Sequence, residues 1–244
     1  MFAEELTIQI FADGADVGGI ADLLANPLIK GFTTNPTLMH QSGITDYEGF
    51  ARQVLELVPD RPISFEVFSD DFDEMGAQAE KIASWGENVY VKIPVTNTSG
   101  ASSAALLRRL AGDGVQVNCT ALMTTQQVEQ VAECLAGGPA AYVSVFAGRI
   151  ADAGVDPLPI MIDALKIIAS DPQIELIWAS PREIFNIVQA DSIGCHVITV
   201  THELLKKLPN LGRDLDTYSL DTVQMFHRDA AASSFSINPA KSAA

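Results

Sequence analysis

The sequence has little positive charge. It carries 15 lysines and arginines against 31 aspartates and glutamates, which gives a net charge of −16 over 244 residues. Because nucleic-acid binders usually present a basic patch or a basic domain, we expect no nucleic-acid partner. Only 19% of the residues are charged and 48% are hydrophobic, far from the composition of disordered chains. We therefore expect a folded chain with a large core.

Long hydrophobic runs are also lacking. No apolar stretch reaches the roughly 20 residues that a membrane span needs. The first residues, Met-Phe-Ala-Glu-Glu, are acidic and do not resemble the basic start of a secretory signal. These features predict a cytoplasmic protein with no membrane partner.

Cysteine is scarce as well. Cys119, Cys134 and Cys195 lie far apart in apolar sequence, which indicates reduced core thiols rather than disulfides or a zinc site. The four histidines show no close spacing with cysteines or carboxylates of the kind that binds metals. We expect no metal site.

What the sequence does contain is a regular alternation of short apolar runs with segments of helical spacing. Eight β-branched, apolar runs predict strands over 6–13, 29–35, 63–68, 89–95, 115–123, 142–148, 174–180 and 196–201. Helical spacing predicts helices over 47–57, 72–84, 102–110, 125–135, 157–168 and 182–190. This alternation is typical of a parallel sheet covered by helices.

Eight strand-helix units close naturally into a (β/α)8 TIM barrel, for which about 250 residues is a common length. A doubly wound open sheet is the alternative, but it usually carries a Gly-rich turn after its first strand. Residues 13–19 read Asp-Gly-Ala-Asp-Val-Gly-Gly, which is not that fingerprint. We predict an α/β barrel with an additional C-terminal helix over 218–230. The expected organisation is one domain over 1–235 and a flexible tail over 236–244.

A lysine in the fourth predicted strand is the first candidate for chemistry. Alternation along this strand puts Tyr90, Lys92 and Pro94 on one face. In a barrel interior the amine loses hydration, which disfavours its charged form. A neutral amine is a nucleophile that can form a Schiff base with a carbonyl compound. The alternative is a lysine whose stem packs while its head reaches water.

Two carboxyl groups belong to nearby strands. Asp13 ends the first predicted strand, and Glu66 lies between aromatic residues in the third. Barrel enzymes place their sites at the C-terminal ends of the strands, so both would share the barrel mouth with Lys92. Two carboxyls that can transfer protons beside a nucleophilic amine suit carbonyl chemistry. Taken singly, Asp13 could be a helix N-cap or a loop acid, and Glu66 only an ion-pair partner.

Two arginines follow the sixth and seventh strands. Arg149 and Arg182 come after Ser144 and Ser180, on the side where barrels tend to bind phosphate. A guanidinium group donates paired hydrogen bonds that match phosphate. Surface salt bridges with the many acids are the alternative. On so acidic a chain, a local positive pocket would indicate an anionic substrate.

Five segments resemble the transaldolase family, and in particular its short members related to fructose-6-phosphate aldolase. They are Gly-Phe-Thr-Thr-Asn-Pro-Thr at 31–37, Val-Tyr-Val-Lys-Ile-Pro-Val-Thr at 89–96, Val-Asn-Cys-Thr at 117–120, Ser-Val-Phe-Ala-Gly-Arg-Ile at 144–150 and Ala-Ser-Pro-Arg at 179–182. The resemblance runs from residue 10 to about 226, nearly the whole chain.

The resemblance implies a reaction without a cofactor. Lys92 would form a Schiff base with a ketose phosphate, and cleavage between C3 and C4 would leave a dihydroxyacetone unit on the lysine. Asp13 would transfer the proton of the C4 hydroxyl, while Glu66 and Thr120 would hold a catalytic water. The implied substrate-binding residues are Thr33, Asn35, Asn118 and Ser144 near the sugar hydroxyls, Phe146 beside them, and Arg149, Ser180 and Arg182 at the terminal phosphate.

Within this resemblance, Phe146 and Glu66 favour transfer over simple cleavage. Fructose-6-phosphate aldolases carry tyrosine and glutamine at these positions, and a phenylalanine ring has no hydroxyl that could position a water. We therefore predict a transaldolase of the pentose phosphate pathway that uses sugar phosphates. An aldolase-type lyase that releases free dihydroxyacetone, a cyclitol-phosphate epimerase and a catalytically idle sugar-phosphate-binding barrel are the alternatives.

The C-terminal helix also resembles a family feature. In short members this helix packs on a neighbouring subunit. The resemblance therefore implies a homo-oligomer assembled through the C-terminal helix, with ten subunits as the expected ring.

Overall fold

Eight parallel strands form a closed ring in the computed structural model, which describes residues 2–237. The strands are β1 Gln9–Asp13, β2 Ile29–Thr33, β3 Ile63–Glu66, β4 Val89–Pro94, β5 Val117–Leu122, β6 Ala141–Val145, β7 Ile174–Trp178 and β8 Val197–Thr201. They are ordered as in the chain, and β8 returns to pair with β1. The predicted (β/α)8 barrel is confirmed.

Helices follow the strands and cover the outside of the ring. They are α1 Val17–Leu24, α2 Pro36–Gln41, α3 Tyr47–Leu57, α4 Phe72–Ala83, α5 Ala104–Gly112, α6 Thr125–Leu135, α7 Ala147–Asp152, α8 Pro157–Ile168, α9 Phe185–Ser192, α10 His202–Leu205 and α11 Leu215–Ala232. Side-chain oxygens of Asp16, Asp46, Asp71 and Thr124 cap α1, α3, α4 and α6 by accepting from backbone N–H groups of the first turn.

The additional C-terminal helix is confirmed as α11, which is longer than predicted at both ends. None of its residues is buried. Leu215, Leu220, Val223 and Phe226 are exposed on it. The predicted tail over 236–244 falls largely on residues 238–244, which lie outside the described residues.

Side chains of the strands alternate between two apolar layers. Outward-facing residues such as Val91 pack against the helices in the larger core. Inward-facing Phe11, Tyr90, Tyr142 and Ile177 form a second cluster within the ring. The rings of Phe11 and Tyr142 meet edge to face with 5.5 Å between centroids. This cluster fills the N-terminal half of the barrel, so polar side chains can collect in the C-terminal half.

Several predicted element boundaries are wrong where strands lead into loops. The strand predicted over 29–35 ends at Thr33, because the Asn35 side chain accepts from the Leu38 N–H at 2.9 Å and caps α2. The strand predicted over 142–148 ends at Val145, and α7 begins two residues later. The helix predicted over 182–190 begins only at Phe185. Helices α1, α2, α7 and α10 were not among the predicted helices.

Two further sequence features can be compared with the fold. The three cysteines are buried and free, as expected for core thiols. Among residues 2–237, no helix combines the length and the apolar character that crossing a bilayer requires.

Candidate active site

Lys92 lies in a cavity of about 600 Å³ at the C-terminal ends of the strands. Its Nζ donates a hydrogen bond to the carbonyl oxygen of Thr34 at 2.9 Å and lies 3.2 Å from Glu66 Oε2. The side chain faces inward, as the strand alternation predicts, and Lys92 pairs with Glu66 in the β3–β4 register. Only 7% of the residue is exposed, so its head does not extend into bulk water.

Asp13, at the end of β1, faces the same cavity. The Thr33 hydroxyl donates to Asp13 Oδ1 at 2.9 Å, and the Asn35 amide donates to Oδ2 at 3.4 Å. Burial raises the pKa of Asp13, and the positive charge of Lys92 with these two hydrogen bonds only partly opposes that effect. A carboxyl with a raised pKa is suited to proton transfer near neutral pH. Asp16 caps α1, so the alternative interpretation of Asp13 as a helix N-cap is wrong.

A belt of hydroxyl and amide groups forms the floor of the cavity. The Asn118 amide donates to Ser64 Oγ at 2.9 Å, and the Ser144 hydroxyl donates to Asn118 Oδ1 at 2.7 Å. Ser144 lines the cavity, whereas Asn118 is fully buried beneath it and already hydrogen-bonded on both sides. Across the floor, the hydroxyls of Thr33 and Thr199 lie 2.5 Å apart. Asn118 therefore positions the floor from below.

The hydroxyl of Thr120 is an exception in this belt. It lines the cavity from β5, is buried, and has no hydrogen-bond partner within the part of the chain that the structure describes. A buried polar group without a partner normally marks the place of a ligand or an ordered water. Thr120 is therefore available to hold a water or a substrate hydroxyl in the cavity that Lys92 also lines.

Arg149 and Arg182 form a positively charged part of the cavity wall, called here the arginine corner. Ser180 lines the cavity with them. Arg182 Nε donates to both oxygens of Asp152 at 2.9 and 3.0 Å, Nη2 donates to the same carboxylate, and Nη1 donates to Ser180 Oγ at 3.0 Å. Hydrogen bonding to Arg182 lowers the pKa of Asp152. The Asp152 carboxylate thus occupies the Nε/Nη2 edge of the guanidinium, and Ser180 accepts from Nη1.

The backbone around this corner is closely packed. Ser180 adopts a positive φ of 61°, which is uncommon for a residue with a side chain. A Cβ on Gly148 would lie 1.6 Å from the Ser180 carbonyl oxygen, so only glycine fits there. The Arg149 guanidinium lies 5.4 Å from the centroid of the Phe146 ring, which also lines the cavity.

Of the predicted site residues, all except Asn118 line this single cavity. Gln41, Thr199 and Thr201 also line the cavity and were not predicted from the sequence. Thr199 and Thr201 alternate with apolar residues at the end of β8, and that alternation could have marked them. Asp152 was missed because its role depends on Arg182, 30 positions away. Within residues 2–237, no three histidine, cysteine or acidic side chains come together as a metal site would require.

A closed barrel with a buried lysine, two carboxyls and an arginine corner at the C-terminal ends of its strands defines a TIM-barrel enzyme. The chain belongs to the Transaldolase/Fructose-6-phosphate aldolase family, whose model matches residues 10–241. It is an enzyme of this class.

Relatives of similar length support this membership. A probable transaldolase of Dehalococcoides mccartyi is 35% identical over 202 residues, which cover 82% of this chain and 90% of that protein. Probable transaldolases of a Thermoanaerobacter species and of Thermoplasma volcanium are each 34% identical, over 82% of this chain and 89% and 87% of theirs.

Solved structures share the fold at low sequence identity. A dihydrodipicolinate synthase from Rhodopseudomonas palustris matches with a TM-score of 0.58 and 13% identity, covering 94% of this chain and 81% of that one. A mandelate oxidase variant matches with a TM-score of 0.56 and 12% identity, covering 95% and 77%. At this identity the likeness concerns the barrel alone.

Proposed function

We propose that the protein is a transaldolase that moves a dihydroxyacetone unit from a ketose phosphate to an aldose phosphate through a Schiff base on Lys92. Fructose 6-phosphate and sedoheptulose 7-phosphate are the donors we expect. One observation carries the proposal: the buried Lys92 amine lies 3.2 Å from Glu66 in a cavity that also contains two arginines. Family membership and relatives named probable transaldolase support it.

The arginine corner suits the donor's terminal phosphate. Arg149 and Arg182 neutralise its charge, and Ser180 adds a hydroxyl. Because this end of the sugar does not react, its binding energy orients C2 toward Lys92 and the C4 hydroxyl toward Asp13. Ser144, Asn35 and Thr33 then contact the hydroxyls between the two ends.

Carbon–carbon cleavage follows from the amine and the Asp13 carboxyl. Lys92 first gives a proton to Glu66, whose carboxylate lies 3.2 Å from Nζ. The freed amine attacks C2 of the ketose, and loss of water gives a protonated imine. Asp13 takes the proton of the C4 hydroxyl, the C3–C4 electron pair moves toward the imine, and an aldose phosphate leaves. The enamine that remains on Lys92 attacks the acceptor aldehyde, and Asp13 returns its proton to the new hydroxyl. Water held by Glu66 and Thr120 then hydrolyses the imine.

Phe146 favours transfer over release of free dihydroxyacetone. Its ring lines the cavity and carries no hydroxyl that could direct a water at the enamine. The enamine therefore persists until an aldose phosphate arrives.

We extend the proposal to the oligomeric state, the domain organisation and the pathway of the protein. The exposed apolar residues of α11, among them Leu220, Val223 and Phe226, suit a homo-oligomer built through this helix, with ten subunits in the ring. We further propose one domain over 1–235 and a place in the cytoplasmic pentose phosphate pathway. Size-exclusion chromatography with light scattering tests the assembly, and a monomer would contradict it.

The decisive experiment traps the imine. Borohydride is added to the protein with fructose 6-phosphate, and intact mass and peptide mapping are recorded. We expect a three-carbon adduct on Lys92, no adduct in Lys92→Met, an unchanged adduct in the control Lys30→Met, and transfer to erythrose 4-phosphate. No adduct under conditions where the sugar binds would favour the idle binding barrel, whereas free dihydroxyacetone without transfer would favour the lyase.

A further inference from the structure

Among the described residues, the C-terminal end of β3 has no strand partner on the side of β2. The β2–β3 register contains only the pairs Phe32↔Ile63 and Thr33↔Ser64, and one more hydrogen bond joins Thr34 N to Ser64 O at 3.1 Å. Asn35 then leads the chain into α2, which begins at Pro36, a residue without an N–H group. β2 therefore ends before it can pair with Glu66.

The backbone of Glu66 faces this gap. In a parallel ladder, alternate residues direct their N–H and C=O groups to the same neighbouring strand. Ser64 bonds toward β2, whereas Val67 N donates to Lys92 O on β4 at 3.2 Å. Glu66 has the parity of Ser64, so its N–H and C=O point toward β2, where residues 2–237 offer no backbone partner. Buried backbone groups in this position need another partner.

The hydroxyl of Tyr47 fills the gap. It accepts a hydrogen bond from Glu66 N at 2.8 Å and donates one to Glu66 O at 3.0 Å, so one oxygen serves both backbone groups. The ring is held by edge contacts with Phe65 and Trp85, with centroid distances of 6.1 and 5.6 Å. Burial raises the pKa of the Tyr47 phenol, so it keeps the proton that it donates.

We infer that Tyr47 is a positioning residue: by replacing the missing part of β2, its hydroxyl fixes the backbone from which the Glu66 carboxylate reaches Lys92. The inference deepens the proposed function and rests on the role that it gives to Glu66 and Lys92. Tyr47 does not line the cavity, so it acts through Glu66 rather than on the substrate. Only 3.2 Å separate the carboxylate from the amine, and a shift of the strand end would change this distance directly.

The test compares Tyr47→Phe with Asn88→Ala. Asn88 donates to the carbonyl oxygens of Val58 and Arg61, each at 2.8 Å, and lies next to the N-terminal end of β4. Each variant thus removes two side-chain hydrogen bonds to the backbone, at opposite ends of the barrel. We expect Tyr47→Phe to lower kcat on the order of 10-fold or more, as misplacement of a catalytic group does, with the donor KM within about twofold. Asn88→Ala should lower the thermal midpoint but keep kcat.

Two further readouts separate positioning from general destabilisation. In a Glu66→Gln background, Tyr47→Phe should lower kcat by less than about twofold. The effects of the two substitutions are not additive if Tyr47 acts through Glu66. Amide hydrogen exchange needs no substrate, and Tyr47→Phe should speed it at Glu66 about tenfold or more, whereas Asn88→Ala should not. If Tyr47→Phe does not fold, Tyr47→His, whose ring nitrogens can form hydrogen bonds in place of the lost hydroxyl, is compared in the same way and should give smaller losses of the same kind.

The possible failures are distinct. A wild-type protein that gives no borohydride adduct overturns the proposed function. Unchanged exchange at Glu66, or equal losses of kcat in Tyr47→Phe and Asn88→Ala, overturns the positioning role of Tyr47, whatever the wild-type activity.

Discussion

Gly148, in the first turn of α7, packs directly against the carbonyl oxygen of Ser180, and a Cβ at position 148 would lie 1.6 Å from that oxygen. This contact joins the helix that carries Arg149 to the loop that carries Arg182. We predict that Gly148→Ala forces the two apart, costs about 1 to 3 kcal/mol of stability as overpacking does, and raises the KM for phosphorylated donors. Gly112→Ala is the control, because a Cβ there would meet nothing within 4 Å. Equal effects of the two substitutions on KM would contradict the prediction.

Asp152 orients the guanidinium of Arg182. We predict that Asp152→Asn, which loses the charged bidentate pairing, raises the KM for a phosphorylated donor by roughly 2- to 5-fold, because the Arg182 guanidinium is then held less firmly. Borohydride trapping with dihydroxyacetone, which has no phosphate, should be unaffected. Asp163→Asn is the control, because Asp163 pairs with Lys166 at 2.8 Å on α8. Tighter binding of inorganic phosphate to Asp152→Asn would mean that Asp152 competes with the anion instead.

Asp13 should make stability depend on pH. Because its pKa is raised above 3.8 by burial, the folded protein retains this proton at pH values where the unfolded chain has released it. Stability therefore falls as pH rises from about 3.8 through the folded-state pKa, and is then constant. We predict that Asp13→Asn is more stable than wild type at pH 7, with an advantage that disappears below pH 3.8, while transfer activity is lost.

Asp171 provides a control of opposite sign. Backbone hydrogen bonds from Gly137 and Gln173 lower the pKa of its carboxyl. Asp171→Asn should therefore be less stable than wild type at pH 7 and approach it in acid. Denaturant unfolding across pH 3 to 8 measures both variants. An Asp13→Asn protein that is destabilised at pH 7 would refute the prediction.

Removing the unpartnered hydroxyl of Thr120 should lower activity while leaving stability nearly unchanged. Thr120→Val removes a buried hydroxyl that makes no hydrogen bond within the described chain, so stability should change by less than about 1 kcal/mol. If this hydroxyl holds the water of imine formation, trapping and kcat should fall by about 10-fold or more. Thr199→Val is the matched comparison, because it breaks the 2.5 Å contact with Thr33 and should lower the thermal midpoint. Full activity of Thr120→Val would exclude a role for its hydroxyl.

Phe146 should control the fate of the three-carbon unit. We predict that Phe146→Tyr increases the free dihydroxyacetone released per turnover when no acceptor is present, because the new hydroxyl can position a water in the cavity. Phe146→Leu, which also changes the ring but adds no hydroxyl, should not increase release. The measurement is an enzymatic assay of dihydroxyacetone with fructose 6-phosphate as the sole sugar. Unaltered partitioning in Phe146→Tyr would contradict this role.

The barrel and most of the cavity could be predicted from the sequence because both depend on local alternation. The inward orientation of Lys92 follows from the two-residue period of β4, and the strand-helix order defines the mouth where Asp13 and Glu66 meet it. The exact ends of the strands could not be predicted, because they depend on caps such as that of Asn35 on α2.

Contacts between different strands and helices could not be predicted from the sequence. In the sequence, Tyr47 is an ordinary aromatic residue at the start of a predicted helix. Its hydroxyl bonds to the backbone of Glu66 only because β2 ends early and leaves those groups without a strand partner in the described chain. Asn118 matches a family segment, yet its burial beneath Ser144 depends on how three strands meet. Such relationships require the register of neighbouring strands, which no single segment specifies.

The pairing of β1 with β8 has a consequence for synthesis. Gln9↔Val197 and four further pairs up to Asp13↔Thr201 join the first strand to the last. A nascent chain on the ribosome therefore carries an open edge on β1 until nearly 200 residues have emerged, and unpaired edges invite misassociation. Ring closure is then a late event with a large loop to close, so we expect the growing chain to rely on chaperones more than the finished barrel does.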